Sequence, residues 1–158
     1  MTVARGFTRG EGRYLLSADS DAAAFGDVVW TSINGVWRGS VPVSCSWFPE
    51  GGLRAEMQVR PRMPSEPTVV YVVRDSHLAR VDTNGAHRGR RFSHFQHRQT
   101  PEDPEVTEAV PTWFVDVPLV DTVSDGTYAR VFRDSCRLLR INTSAVRWID
   151  PPEGGVPR

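Results

Sequence analysis

The chain has 158 residues, enough for one domain with a hydrophobic core and too few for two domains of ordinary size. Apolar residues make up 39% of it, as is usual for a soluble protein, and no apolar run is long enough to cross a bilayer, so no membrane partner is predicted. The first residues contain no apolar signal-peptide segment. We therefore expect a cytoplasmic protein whose two cysteines, Cys45 and Cys136, stay reduced.

The formal net charge is zero, but the charges are segregated along the chain. Residues 53–98 hold nine arginines against four acidic residues, a net charge of +5. Residues 99–128 hold seven acidic residues and no basic one, a net charge of −7. This segregation predicts a basic surface that faces an anion, while the acidic segment folds back over that surface or meets a partner.

Strand patterns dominate the first half of the chain. Residues 1–13 are rich in Gly and Arg and are expected to be poorly ordered, and a short helical turn is predicted within residues 17–25. The apolar runs on either side of Asn34-Gly35 predict a β-hairpin, because both residues tolerate positive φ. Residues 53–63 alternate apolar and polar side chains, which predicts a half-buried strand that prolines 61, 64 and 67 bring to an end.

The second half contains strands and one strong helix pattern. Residues 68–82 form two apolar runs about a break at 74–76, which predicts either a hairpin or one long bulged strand. Further strands are predicted at residues 91–99, 113–121 and 144–150, with a polar loop at 100–111. Residues 125–141 predict a helix, and 151–158 a poorly ordered tail. One stripe of this helix is expected to be buried: Tyr128, Val131, Phe132, Ser135, Cys136 and Leu139.

Several strands with one late helix predict an α+β fold over residues 1–158, organised as a single domain. We expect an antiparallel sheet with the C-terminal helix packed on one face, and a second face that is solvated or functional. A second helix stripe consists of Arg130, Arg133, Arg137 and Arg140. It can bind RNA phosphates or an acidic partner, or form an ordinary solvated surface.

Candidate functional residues concentrate in residues 78–99, which hold three of the four histidines and five arginines. A ribonuclease that needs no metal requires a base, an acid and cations around the phosphate. The candidate catalytic residues are His87, His94, His97 and Asp82, where Asp82 would orient an imidazole. The candidate phosphate-binding residues are Arg60, Arg80, Arg88 and Arg91. An enzyme of this kind would be an endoribonuclease without a cofactor.

Two other interpretations of the same segment remain open. His87, His94 and His97, with Asp82, form a donor set that suits zinc, although alternation along a regular strand separates His94 from His97. The same alternation makes His87 with one of the other two the better acid–base pair. The segment is also compatible with a polar hairpin whose histidines and arginines are simply solvated.

The segment LARVDTNGAHRGRRFSHFQHR resembles the central motif of small bacterial toxins of the TumE kind, in the wider RelE-like group. It is also similar to an uncharacterised bacterial domain family with an Arg-x-Asp-x-x-Gly-x-His segment, a second histidine segment and a late helix. The matching residues are Arg80, Asp82, Gly85, His87, His94 and His97. The resemblance implies a compact α+β fold and an RNA-directed role in a toxin or phage-defence setting. The alternative hypothesis is a non-catalytic interaction module that binds a protein, such as an antitoxin, through its segregated charges.

Overall fold

The computed structural model describes residues 6–87 and 89–152, except for the side chain of His87. Within this part of the chain lie two helices, α1 (Arg9–Leu15) and α2 (Thr127–Leu138). The strands are β1 (Ala23–Asp27), β2 (Val29–Ile33), β3 (Val36–Ser44), β4 (Leu53–Arg60), β5 (Met63–Val73), β6 (Ser76–Asp82), β7 (Ala86–His87), β8 (Arg90–Arg91), β9 (His94–His97), β10 (Val106–Ala109) and β11 (Asn142–Arg147).

Nine of these strands form one sheet, in the order β10-β9-β6-β5-β4-β3-β1-β11, with β2 also paired to β3. The short strands β7 and β8 pair only with each other. The predicted α+β class is confirmed. The sheet is antiparallel, as predicted, except at one edge where β1 pairs in parallel with β11. No described helix has the length and apolar character needed to cross a membrane.

Two hairpin turns follow from residues that accept positive φ. Asn34 and Gly35 have φ of 52° and 77°, and they join β2 to β3 as predicted. Arg74 and Asp75 have φ of 45° and 67°, and they join β5 to β6. The apolar runs of residues 68–82 are therefore two strands of a hairpin and not one bulged strand.

Three local predictions are wrong, the second of them only in part. A strand, β1, replaces the helical turn predicted within residues 17–25. Strand β4 ends at Arg60, directly before Pro61 as predicted, but Pro64 and Pro67 lie within β5, which begins at Met63. The predicted strand at 113–121 has no sheet partner. Side chains satisfy its backbone instead, since Asp134 accepts a hydrogen bond from the Val115 amide over 2.9 Å.

Two elements were not predicted. Helix α1 begins after Thr8, whose side chain accepts from the Glu11 amide while the Glu11 side chain accepts from the Thr8 amide. These reciprocal contacts form a capping box, which satisfies two amides that a helix start leaves without partners. Strand β10 lies inside the predicted loop at 100–111 and pairs with β9.

Helix α2 packs on one face of the sheet through the predicted stripe. Val131, Phe132, Cys136 and Leu139 are buried, and the half-buried Tyr128 donates a hydrogen bond to the Pro64 carbonyl over 2.6 Å. The four arginines of the second stripe are exposed. The helix ends at Leu138, earlier than residue 141, because Arg140 has φ of 60°. The core between helix and sheet also includes Met57, Tyr71 and Val81, among others.

Candidate polar cleft on the sheet face opposite helix α2

The sheet face that points away from α2 bears polar side chains, and we call it the polar face. Alternation along β4, β5 and β6 sends residues such as Met57, Tyr71 and Val81 into the core and their neighbours to this face. Strand pairing aligns these neighbours in two rows across the strands. The first row is Arg38, Gln58, Thr68, Asp82 and His94. The second row is Ser40, Glu56, Val70, Arg80 and Gln96.

A cleft of about 450 Å³ lies on the polar face. Four of the residues predicted from the sequence line it: Arg60, Arg80, Asp82 and His94. Other lining residues, which were not predicted, include Gln58, Glu66, Thr68, His77 and Gln96. The structure thus brings β4, β5, β6 and β9 together around a set of charged and amide groups, which can bind a polar ligand.

Asp82 accepts three contacts at the floor of the cleft. Thr68 donates its hydroxyl to Oδ1 over 2.8 Å. Nε of Arg80 lies 3.1 Å from Oδ2, and Nε2 of His94 lies 3.0 Å from the same oxygen. The carboxylate therefore joins its neighbours on β5, β6 and β9, and it orients both an imidazole and a guanidinium.

His94 is almost fully buried, with 3% of its side chain exposed. Its Nδ1 lies 3.0 Å from the carbonyl oxygen of Phe92, and its Nε2 faces Asp82. Both ring nitrogens therefore face an oxygen that can accept a hydrogen bond. A Cβ at Gly85 would lie 2.9 Å from Cε1 of His94, so the glycine of the Arg-x-Asp-x-x-Gly segment leaves space for this ring.

Two arginines in or beside the cleft are held in place by acceptor side chains. Nε of Arg80 also donates to the Gln96 side chain, and one terminal nitrogen lies 3.9 Å from Glu105. At the margin, Nη1 of Arg91 pairs with Glu66, a lining residue whose side chain is only 7% exposed. Arg60 is exposed and forms no ion pair with any residue in 6–87 or 89–152. The exposed surface of these guanidinium groups faces solvent.

His77, the histidine outside the candidate set, also lines the cleft. Desolvation against the sheet lowers its pKa; Glu56 opposes this effect and Arg98 adds to it. A lowered pKa makes the neutral imidazole the main form at neutral pH. Its place in the cleft follows from the pairing of β5 with β6, which the sequence does not specify.

The other predicted residues do not join the cleft in the part of the chain that the structure describes. His97 points to the opposite face of β9, where it stacks on Phe95 with ring centroids 4.8 Å apart. Its Nε2 lies 2.9 Å from Glu108. The backbone of His87 lies in β7, but its side chain is outside the described residues, as is all of Arg88.

No group of three or more His, Cys, Asp or Glu side chains that could hold a metal ion occurs among the described residues. His94 and His97 lie on opposite faces of one strand and cannot bind the same ion. Comparisons of the chain with protein-family models, with curated proteins and with solved structures find no match.

Proposed function

We propose that this chain is an RNA-directed protein of the bacterial toxin or phage-defence type, and that it binds RNA phosphates on the polar face. The observation that carries the proposal is that acceptor side chains in and beside the cleft fix the orientation of two arginines. Buried or half-buried acceptors (Asp82, Glu66 and Gln96) hold the guanidinium groups of Arg80 and Arg91 in place. A guanidinium group has five N–H donors, so each arginine keeps donors for an anion.

The charge of the surrounding segment supports an anionic ligand. Residues 53–98 carry a net charge of +5, whereas the cleft lining itself balances Arg60 and Arg80 against Glu66 and Asp82, so the excess lies around the cleft. Arg60 lacks an acidic partner within the described residues and provides a cation at the cleft margin. Guanidinium groups fixed in orientation bind phosphate oxygens in pairs, which is the usual way that arginine recognises RNA and DNA backbones.

His94 and His97 do not form an acid–base pair across one substrate. A general acid and a general base must reach the same phosphate. His94 has acceptors at both ring nitrogens, and His97 lies on the other face of β9, 2.9 Å from Glu108. A ribonuclease of the expected kind would therefore pair His87 with His94, but the His87 side chain lies outside the described residues, so the role proposed for the cleft is to bind RNA.

Fluorescence anisotropy with a labelled single-stranded RNA, measured over a series of salt concentrations, tests the proposal. We expect binding at low salt that weakens steeply as salt rises, because phosphate contacts release counterions. Replacing Arg60 and Arg91 by alanine should weaken binding and reduce the slope of log K against log salt by about 1.4 units, about 0.7 for each lost contact. Arg13→Ala with Arg147→Ala removes equal charge elsewhere and should leave the slope unchanged. No binding at low salt, or an equal effect of both pairs, would overturn the proposal.

A protein-interaction module of a mobile-element or defence locus is the second candidate function. The acidic segment 99–128 favours it, because this segment includes β10, the edge strand beside β9, with Glu105 directly before it and Glu108 within it. Strand β10 places Glu105 3.9 Å from Arg80 and Glu108 2.9 Å from His97. An antitoxin-type partner that added a strand to this edge would meet both charge blocks. RNA binding absent at low salt would favour this candidate.

A further inference from the structure

We propose that the exposed arginine stripe of α2, together with the recess at the end of that helix, is a second RNA-binding surface on the opposite side of the sheet from the cleft. The stripe consists of Arg130, Arg133, Arg137 and Arg140. The inference rests on the RNA-directed function proposed above and adds a surface that the cleft does not include.

The stripe is a compact row of cations. At about 100° and about 1.5 Å per residue, Arg130, Arg133 and Arg137 fall within about 60° of the circumference of α2 and extend over about 10 Å, and Arg140 follows just after the helix ends. All four side chains are exposed, while Val131, Phe132 and Cys136 on the other side of the helix are buried in the core. The packing of α2 therefore fixes the direction in which the stripe points.

No carboxylate neutralises this row in the described structure. Arg130, Arg133 and Arg140 form no ion pair with residues 6–87 or 89–152. Asp134 is the one acidic residue of α2, and its Oδ2 accepts a hydrogen bond from the Val115 amide over 2.9 Å. The stripe differs in this way from the cleft, where acceptors hold Arg80 and Arg91. Its attraction for a polyanion is therefore not reduced by an internal partner.

The third arginine of the row is stacked on an aromatic ring. The guanidinium carbon of Arg137 lies 4.0 Å from the ring centroid of Trp113, which is 36% exposed. Stacking holds the guanidinium plane and leaves part of the indole accessible. An accessible indole beside fixed cations is the combination on which single-stranded nucleic acids stack their bases.

The stripe leads into a recess of about 570 Å³ at the C-terminal end of α2. Arg137 and Arg140 form one wall of this recess. The rest of the lining includes hydroxyl and amide side chains (Ser17, Ser20, Asn142 and Ser144) and one carboxylate, Asp21, which accepts hydrogen bonds from the Tyr14 hydroxyl and the Ser46 amide. Hydroxyl and amide groups donate to and accept from the ribose 2′-hydroxyl or a base edge.

The occupant that fits these groups is a single strand of RNA rather than an acidic protein segment. Four arginines alone would suit either polyanion. The exposed indole and the recess lined by hydroxyl groups offer stacking and 2′-hydroxyl contacts, which a carboxylate-rich peptide does not use.

The test compares two arginine pairs in the full-length chain, with a labelled single-stranded oligouridylate as the probe. Arg133→Ala with Arg140→Ala should weaken binding at least tenfold at low salt and reduce the salt slope by about 1.4 units. Arg13→Ala with Arg147→Ala is the matched control and should leave both unchanged. All four arginines replaced in these variants are exposed, and an unchanged melting temperature will show that the variants are folded.

A second measurement uses tryptophan fluorescence. We expect RNA to quench this fluorescence, and Trp113→Phe to reduce that quenching.

The outcomes separate the two RNA surfaces. If the α2 pair binds like the unchanged protein while the Arg60 and Arg91 pair binds weakly, the stripe proposal is overturned and the cleft proposal stands. If the α2 pair alone weakens binding, the stripe is supported and the cleft proposal fails. If polyglutamate of equal charge displaces the RNA as well as unlabelled oligouridylate does, the RNA assignment of the stripe is overturned in favour of an acidic protein. No RNA binding at low salt overturns both.

Discussion

Nε2 of His94 lies 3.0 Å from Oδ2 of Asp82, and the two residues are directly paired across β9 and β6. The second ring nitrogen of His94 lies 3.0 Å from the Phe92 carbonyl. The imidazole thus connects a half-buried carboxylate to the backbone that leads into β9. This contact gives Asp82 and His94 a role in holding the polar face together.

A double-mutant cycle will measure how strongly this pair stabilises the fold. We expect His94→Ala to lower the free energy of unfolding by about 2–3 kcal/mol, because it removes a buried ring and one of the three groups that contact a half-buried carboxylate. Asp82→Asn should cost about 2 kcal/mol, because it removes the carboxylate oxygen that faces the buried imidazole of His94. The double variant should lose at least about 1 kcal/mol less than the sum, because each single change breaks the same contact. Urea denaturation supplies the values, and strict additivity would contradict a direct interaction.

His97 provides the matched control for that cycle. It is a histidine on the same strand with a carboxylate partner, Glu108, at 2.9 Å, but that carboxylate is 60% exposed. Because exposed pairs contribute little, His97→Ala should cost no more than about 1 kcal/mol. A loss equal to that of His94→Ala would show that burial does not distinguish the two histidines.

Gly85 should be required at its position for steric reasons. An added Cβ would lie 2.9 Å from Cε1 of His94 and 3.0 Å from Cβ of Asp82, which is closer than such atoms pack. We expect Gly85→Ala to destabilise the protein by about 1–3 kcal/mol, as other overpacked sites do. Gly10→Ala is the control, because a Cβ at this position in α1 meets nothing within 4 Å. Thermal unfolding will distinguish them, and equal melting temperatures would show that the ring moves aside freely.

The fold could be predicted where the signals are local. Asn34-Gly35 predicted a hairpin because its chemistry requires positive φ, and alternation over 53–60 predicted a half-buried strand. Helix α1 was missed although the Thr8–Glu11 capping box is a local signal; only its contact with Arg74, a residue far along the chain that binds Glu11, could not be predicted locally. The parallel pairing of β1 with β11 joins two strands that are far apart in the chain, at one edge of the sheet, and has no local signal.

The candidate cleft was predictable in part. Alternation placed His94 and His97 on opposite faces, as the structure shows. The residues that complete the cleft, such as Gln58 and Thr68, depend on strand register. That register shifts near Arg60 and again near Val72, where bulges interrupt the pairing. A bulge changes which side chains are neighbours, and no periodicity in the sequence specifies its position.

Phe132 should contribute strongly to the attachment of α2. Its side chain is buried against the sheet, with its ring centroid 5.3 Å from that of Trp148. Phe132→Ala should lower the free energy of unfolding by about 3 kcal/mol, because it removes a buried ring and leaves a cavity. The neighbouring Arg133→Ala changes an exposed position and should cost less than about 0.5 kcal/mol. Denaturant titration of both variants is the measurement, and a small effect at Phe132 would contradict the packing of α2.

The contact between Glu11 and Arg74 should make stability depend on pH. Both oxygens of Glu11 accept from Arg74 at 2.9 Å, and this hydrogen bonding lowers the pKa of Glu11 against the opposing effect of burial. A carboxyl whose pKa is lower in the folded state stabilises the protein above its unfolded value of about 4.5, and that contribution is lost as the pH falls through the folded value. Glu11→Gln should therefore cost about 2 kcal/mol at pH 7, and the difference in unfolding free energy between this variant and the unchanged protein should shrink below pH 4.5.

Glu102→Gln is the control, because Glu102 is exposed and has no ion pair in the described residues. It should change stability by less than about 0.5 kcal/mol at either pH. Urea titrations at pH 7 and pH 3.5 compare the three proteins, and a constant difference between Glu11→Gln and the unchanged protein would show that ionisation of Glu11 does not stabilise the fold.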